Sequence, residues 1–191
     1  MIYPIVLIGP MAAGKTTIAG LLSQALGAPH YELDDRRWDY YHEIGYDNET
    51  AGSIRMIDGF AGLYRYWKPF EIHAVERVLA DCRDGIISFG AGHSVYEDPA
   101  LFERARRALA PVENVILLLP CEDPDEAVAI LVDRYTRQAE EEDSVPSEHE
   151  LAIIDHFVRH PSNRLLTRKV IYTQAKTPQQ TCDEILQLLA R

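Results

Sequence analysis

Eight residues near the start of the chain, Gly9-Pro10-Met11-Ala12-Ala13-Gly14-Lys15-Thr16, join a continuously apolar run, Ile5–Ile8, to a stretch where Ile18, Leu21, Leu22, Ala25 and Leu26 recur at helical spacing. They match G-x-x-x-x-G-K-[ST] in full, and a strand before and a helix after are the context in which that pattern has physical meaning. Without a Cβ, Gly9 and Gly14 permit backbone turns that aim successive N–H groups into one concavity. A helix opening at Lys15 adds the positive end of its dipole. The segment therefore predicts a phosphate-binding loop. Lys15 supplies a mobile charge for the β- and γ-phosphates and Thr16 a hydroxyl ligand for Mg²⁺, with Ala12, Ala13 and Thr17 also against the nucleotide. ATP is the expected ligand.

The rest of the chain repeats the alternation. Short apolar runs at Ile2–Ile8, Pro29–Leu33, Gly85–Phe89, Val112–Leu119 and Lys169–Thr173 are separated by helical patterns. Those patterns lie near Lys15–Leu26, Pro69–Asp81, Pro99–Leu109, Asp125–Gln138, Ser147–Arg159 and Pro178–Ala190. Runs as uniformly apolar as Ile86–Phe89 and Val115–Leu119 belong to strands covered on both faces. Strand–helix alternation predicts an α/β fold: a three-layer α/β/α sandwich around a five-stranded parallel sheet. With 191 residues, a single domain is expected over 1–191. Two stretches depart from the pattern. Residues 40–62 are rich in aromatics and glycine and read as a small cap beside a pocket, and the acidic residues 139–150 read as an exposed loop between two helices.

Charge narrows the function. Lys and Arg number 19 against 30 Asp and Glu, a net −11. So acidic a chain argues against a general nucleic-acid binder, which needs a basic face to displace counterions. No run approaches the roughly 18 apolar residues of a membrane span, and the N-terminus lacks the marks of a secretory signal. Cys82, Cys121 and Cys182 are odd in number and widely spaced, and read as reduced thiols. A cytoplasmic protein, monomeric or weakly dimeric and acting on a small molecule rather than on nucleic acid or membrane, is expected.

Beyond the loop, four places carry a resemblance to the shikimate kinase family of nucleoside monophosphate kinase-like P-loop kinases. Glu32-Leu33-Asp34 sits where that family has Asp-x-Asp, and Gly59-Phe60-Ala61-Gly62-Leu63-Tyr64-Arg65 is similar to its Gly-Glu-x-x-Phe-Arg segment. Ser88-Phe89-Gly90-Ala91-Gly92 resembles its triple-glycine turn, and Arg159-His160-Pro161 its Arg-x-Pro helix. The resemblance implies an ATP- and Mg²⁺-dependent kinase that phosphorylates a hydroxyl of a small polar metabolite, shikimate first among acceptors. It implies that Asp34, Arg65, Arg159 and Gly90, Ala91 and Gly92 line the acceptor pocket, within a cap of about 34–68. Glu32 would hold water on Mg²⁺. Arg134 and Arg137 would stand at the base of a lid of about 134–150, Arg134 reaching the transferring phosphoryl group. Chemistry agrees in outline: arginine forks suit a carboxylate, and Asp34 can orient or deprotonate a hydroxyl. As a helix N-cap, Asp34 would have a purely structural role.

The departures gather around acceptor and lid. Ala91 replaces the middle glycine, Glu32 the first aspartate, and Lys68 a glutamate expected three residues after the pocket arginine, with Glu71 three further on. Glu140–Asp143 replaces the usual lid sequence. Trp38, Tyr40, Tyr41, Tyr64 and Trp67 cluster near the pocket as core or as ligand wall. A kinase for another acceptor, such as gluconate, a polyol, a nucleoside or a nucleotide, and a non-catalytic nucleotide-binding module both stay open.

Overall fold

Every residue of β1 (Ile5–Ile8) is fully buried, yet alternate side chains enter different cores. Val6 and Ile8 join one apolar cluster, Ile5 and Leu7 the other. β4 (Asn114–Leu119) divides likewise, Val115, Leu117 and Leu119 on one side and Ile116 and Leu118 on the other. Side chains alternate across a strand, so a continuously apolar run is what a sheet covered on both faces requires. The computed structural model, which describes residues 3–190, shows five parallel strands in the order β2-β3-β1-β4-β5, with β2 at His30–Glu32, β3 at Ile86–Ser88 and β5 at Lys169–Tyr172. The predicted α/β/α class is the observed one.

Among the described residues eight α-helices cover the faces: α1 (Lys15–Leu26), α2 (Leu33–Glu43), α3 (Asn48–Asp81), α4 (Pro99–Leu109), α5 (Pro124–Glu141), α6 (Glu148–Arg159), α7 (Ser162–Leu166) and α8 (Pro178–Leu189). A 3₁₀ turn, Ala91–Ser94, follows β3. Helix starts follow local chemistry. Asp98 and Asp123 cap α4 and α5 ahead of Pro99 and Pro124, and Ser147 and Thr177 form capping boxes with Glu150 and Gln180. Among the described residues no helix is long and apolar enough to cross a membrane. Cys82 and Cys182 are buried, Cys121 is half-buried, and all three are free thiols. Ile2, where the first predicted run starts, lies outside the described residues.

One expectation needs correction and another is narrowed. Residues 40–62 are helical apart from 44–47: α2 continues to Glu43, and α3 starts at Asn48, twenty-one residues before the predicted Pro69. Gly59, at φ 64°, kinks α3 instead of ending it, and packing of Tyr41, Tyr46, Tyr66 and Phe70 holds α2 against α3. The acidic segment does hold an exposed loop between two helices, but the loop is confined to 142–147, since α5 runs to Glu141 and α6 starts at Glu148.

From β1 the chain crosses through α1 to β2 at one edge and returns to β3, then crosses β1 to reach β4 and moves out to β5 at the other edge. The strand order therefore reverses beside β1, and a crevice opens at its carboxyl end. Open α/β sheets place ligands at such a switch point.

Candidate active site

The loop between β1 and α1 has three residues at positive φ: Gly9 at 141°, Ala12 at 57° and Gly14 at 88°. Gly9 is obligatory for a second reason, because a Cβ there would lie 2.5 Å from the Leu118 carbonyl oxygen. Gly14 precedes α1 with no side-chain cap, leaving the first-turn amides without a side-chain acceptor. Lys15 Nζ donates to the Pro10 carbonyl at 2.7 Å, so the ammonium lies across the loop. Burial draws its pKa down to about 8, against the opposing pull of Asp34 and Glu32. A loop anion is thus the partner this lysine lacks.

Two adjoining cavities, of about 490 and 300 Å³, share Ala12, Gly14, Thr17 and Arg134 in their walls. The larger adds Lys15, Thr16, Glu32 and Gln138; the smaller adds Ala13, Thr173, Lys176 and Thr181. Arg134 donates to Thr173 Oγ1 at 3.2 Å, which holds its guanidinium by the loop. Thr16 Oγ1 donates to Glu32 Oε1 at 2.8 Å. A hydroxyl and a carboxylate are hard oxygen donors that fit Mg²⁺ bound through phosphates and water. Among the described residues no cluster of three or more His, Cys, Asp or Glu forms a complete metal cage.

A third cavity, about 420 Å³, meets the loop at Met11. Its walls come from successive turns of helices: Phe60, Tyr64, Trp67 and Glu71 on α3, Glu150, Ile153 and Phe157 on α6, and Asp34, Arg37, Trp38 and Tyr41 on α2. Ala91, Gly92 and His93 close its floor. Asp34 is in the first turn of α2, but its carboxylate takes Arg37 NH1 at 3.1 Å and faces this cleft instead of capping the helix. Close approach explains the glycines of the turn. A Cβ on Gly90 would sit 2.2 Å from Asp34 Oδ1, and one on Gly92 2.5 Å from Glu71 Oε1. Trp38, Tyr41, Tyr64 and Trp67 line the cleft, whereas Tyr40 turns to Asp81 at 3.2 Å.

Three predicted arginines are elsewhere. Arg65 follows Tyr64 and is turned about 100° off the cleft stripe of α3, so it lines an outer groove with Ala61, Glu97 and His156. Arg159 follows Phe157 by two residues, about 200° around α6, and pairs with Asp125 at 2.6 Å and Asp155 at 2.7 Å beside a separate cavity. Arg137 is exposed, pairs with Asp133 at 3.0 Å one turn back on α5, and is not among the residues that line the two nucleotide cavities.

In place of Arg65 the fold buries Lys68. Its Nζ donates to Glu71 at 2.6 Å, to the Gly92 carbonyl at 3.1 Å and to the Val95 carbonyl at 3.0 Å. An ammonium has three donors, so this lysine is fully engaged in fastening the turn after β3 to α3. Among the described residues, Arg37 is the arginine that lines the cleft. Its Nε is buried with no hydrogen-bond partner among the described residues, and its guanidinium lies 4.6 Å from the Trp38 ring. The one available signal for Arg37 was its place three residues after Asp34, on the same helix face.

No protein-family model matches the chain. The shikimate kinase of Streptomyces avermitilis is 28% identical over 124 residues, an alignment covering 65% of this chain and 61% of that protein. The chain thus spans under two thirds of that relative's length. The shikimate kinase of Acinetobacter baumannii, solved in complex with shikimate, superposes with a TM-score of 0.63 at 19% identity, over 97% of this chain and 92% of that one. A gluconokinase from Sinorhizobium meliloti superposes with a TM-score of 0.57 at 15% identity, over 98% and 91%. The chain is therefore similar in sequence to a shikimate kinase across two thirds of its length, and it has the α/β/α P-loop fold of these small-molecule kinases.

Proposed function

We propose that this protein is an ATP-dependent kinase that transfers the γ-phosphoryl group to a hydroxyl of a small polar metabolite. The observation that carries the reading is the junction of two cavities. Lys15 and the loop lie in one, Met11 borders the next, and Asp34 faces that second space while its charge acts on Lys15. Donor phosphate and acceptor hydroxyl therefore meet at a carboxylate.

Loop amides and Lys15 hold the β- and γ-phosphates, and Arg134 stands at the wall of the same cavity to meet charge on the transferring group. Thr16, and Glu32 through water, would hold Mg²⁺, which would supply charge neutralisation at the phosphates. Asp34 accepts the proton of the acceptor hydroxyl as its oxygen bonds to the γ-phosphorus, and the bond to the bridging oxygen breaks to release ADP. Gly90 and Gly92 admit the acceptor to this carboxylate, and Arg37 supplies a cation for an anionic acceptor. The relatives support shikimate as first acceptor and gluconate as second. ADP formation measured with shikimate, gluconate, simple polyols and nucleosides tests the proposal. Acceptor-dependent turnover is expected, and nucleotide binding without turnover on any of them would make this a binding module instead.

A further inference from the structure

One polar group in the acceptor cleft is unused by the chemistry above. His93, in the 3₁₀ turn after β3, is 2% exposed and lines the cleft floor. Its Nε2 lies 3.3 Å from the Tyr41 hydroxyl, which fixes the ring. Its Nδ1 is buried and finds no hydrogen-bond partner among the described residues. A buried polar atom left unpaired forfeits its hydration with nothing in return. Such an atom in the wall of a cleft is placed for something that enters the cleft.

The neighbouring group is Asp34, whose Oδ1 lies 3.9 Å from Nδ1. That is too long for a direct hydrogen bond, but an oxygen about 2.8 Å from both atoms would subtend roughly 90° between them, a workable angle for a hydroxyl that donates one bond and accepts another. Burial holds the imidazole neutral against the pull of Glu71 and Asp34, with Lys68 and Arg37 adding to the effect of burial. In the tautomer whose Nε2 accepts from the Tyr41 hydroxyl, the single ring proton is on Nδ1, facing the cleft.

We infer that His93 is an acceptor-binding residue: its Nδ1–H and Asp34 Oδ1 bracket one hydroxyl of the acceptor, beside the hydroxyl that is phosphorylated. An N–H donated to the attacking oxygen would withdraw electron density from it, so the bracketed hydroxyl is the non-reacting one and Asp34 Oδ2 serves the other. The acceptor class is then a polyol or hydroxy acid with two neighbouring hydroxyls. The inference rests on the kinase reading above and adds a specificity determinant to it.

The test uses whichever of shikimate, gluconate, simple polyols and nucleosides the wild-type protein phosphorylates, with analogues that each lack one hydroxyl. His93→Leu is expected to raise the acceptor's KM about tenfold, the effect of one lost hydrogen bond, while the KM for ATP stays within twofold. His93→Asn keeps a donor near the Nδ1 position and is expected within threefold of wild type. The analogue lacking the bracketed hydroxyl should bind wild type and His93→Leu equally. Because a buried substitution can disturb folding, ¹⁵N spectra of the wild-type imidazole give a second measurement. Adding acceptor with a non-hydrolysable ATP analogue should shift the Nδ1 resonance. Wild-type turnover with an unchanged KM in a folded His93→Leu, or an unmoved resonance at saturating acceptor, would overturn the His93 assignment alone. No turnover of any acceptor by wild type would overturn the kinase reading, and this inference with it.

Discussion

Gly90→Ala isolates the role of Asp34 without touching its carboxylate. At φ −61° and ψ 151° the backbone of residue 90 suits alanine, so no main-chain strain enters. The new methyl would lie 2.2 Å from Asp34 Oδ1 and 2.7 Å from Oδ2. To restore ordinary contact the carboxylate must retreat at least about 1.2 Å. A displacement of that size at a reacting group costs roughly 10²-fold in rate, or about 2.7 kcal/mol of barrier. Stability should change little, because Asp34 is 43% exposed and its pair with Arg37 is half in solvent. At about 2–4 °C per kcal/mol for a chain of this size, Tm should fall by no more than about 3 °C. Gly20→Ala, with nothing within 4 Å, is the control and should keep full activity. Steady-state ADP release and a thermal melt suffice as assays. A Gly90→Ala protein with kcat within threefold of wild type would refute the placement of Asp34 at the transferred group. Loss of activity with a fall in Tm beyond about 10 °C would show that the methyl damages the fold instead.

Other expectations follow from the same geometry. Because burial lowers Lys15 from its ordinary 10.5 to about 8, its charge costs folding stability below pH 8, and that cost is relieved as pH rises towards 10.5. Phosphate restores the charged form, so a non-hydrolysable ATP analogue should take up nearly one proton on binding at pH 9 and almost none at pH 6.5, by calorimetry in two buffers; Lys15→Ala should lose both the uptake and turnover. Lys68→Met leaves the Glu71 carboxylate buried without its partner and should destabilise by about 3 kcal/mol in urea melts, whereas adding Glu71→Leu should recover most of the loss. Arg37→Ala should raise the KM of an anionic acceptor at least tenfold and Arg159→Ala less than twofold, and the reverse order would return Arg159 to the pocket.

Much of the molecule can be read locally. The Gly9–Thr16 loop, the boundaries of α1 and α4, and both capped starts at Ser147 and Thr177 depend on neighbours within a few residues, and the structure shows them where the sequence places them. The stretch from Tyr40 to Gly62 is different. Its aromatics and glycines are weak helix formers, and helical structure there depends on Tyr46, Tyr66 and Phe70 packing between α2 and α3, contacts that local propensity does not encode.

Sequence alone, through strictly periodic apolar spacing and two glycines around a lysine, determined a parallel sheet with an anion-binding loop at the end of its first strand. Tertiary structure alone decided which polar side chains enter the acceptor cleft. Successive residues of a helix point about 100° apart, so a small rotation, set by packing on both flanks, exchanges one neighbour for another. That rotation turned Arg65 and Arg159 outward, buried Lys68 against Glu71, and left Arg37 and His93 facing Asp34.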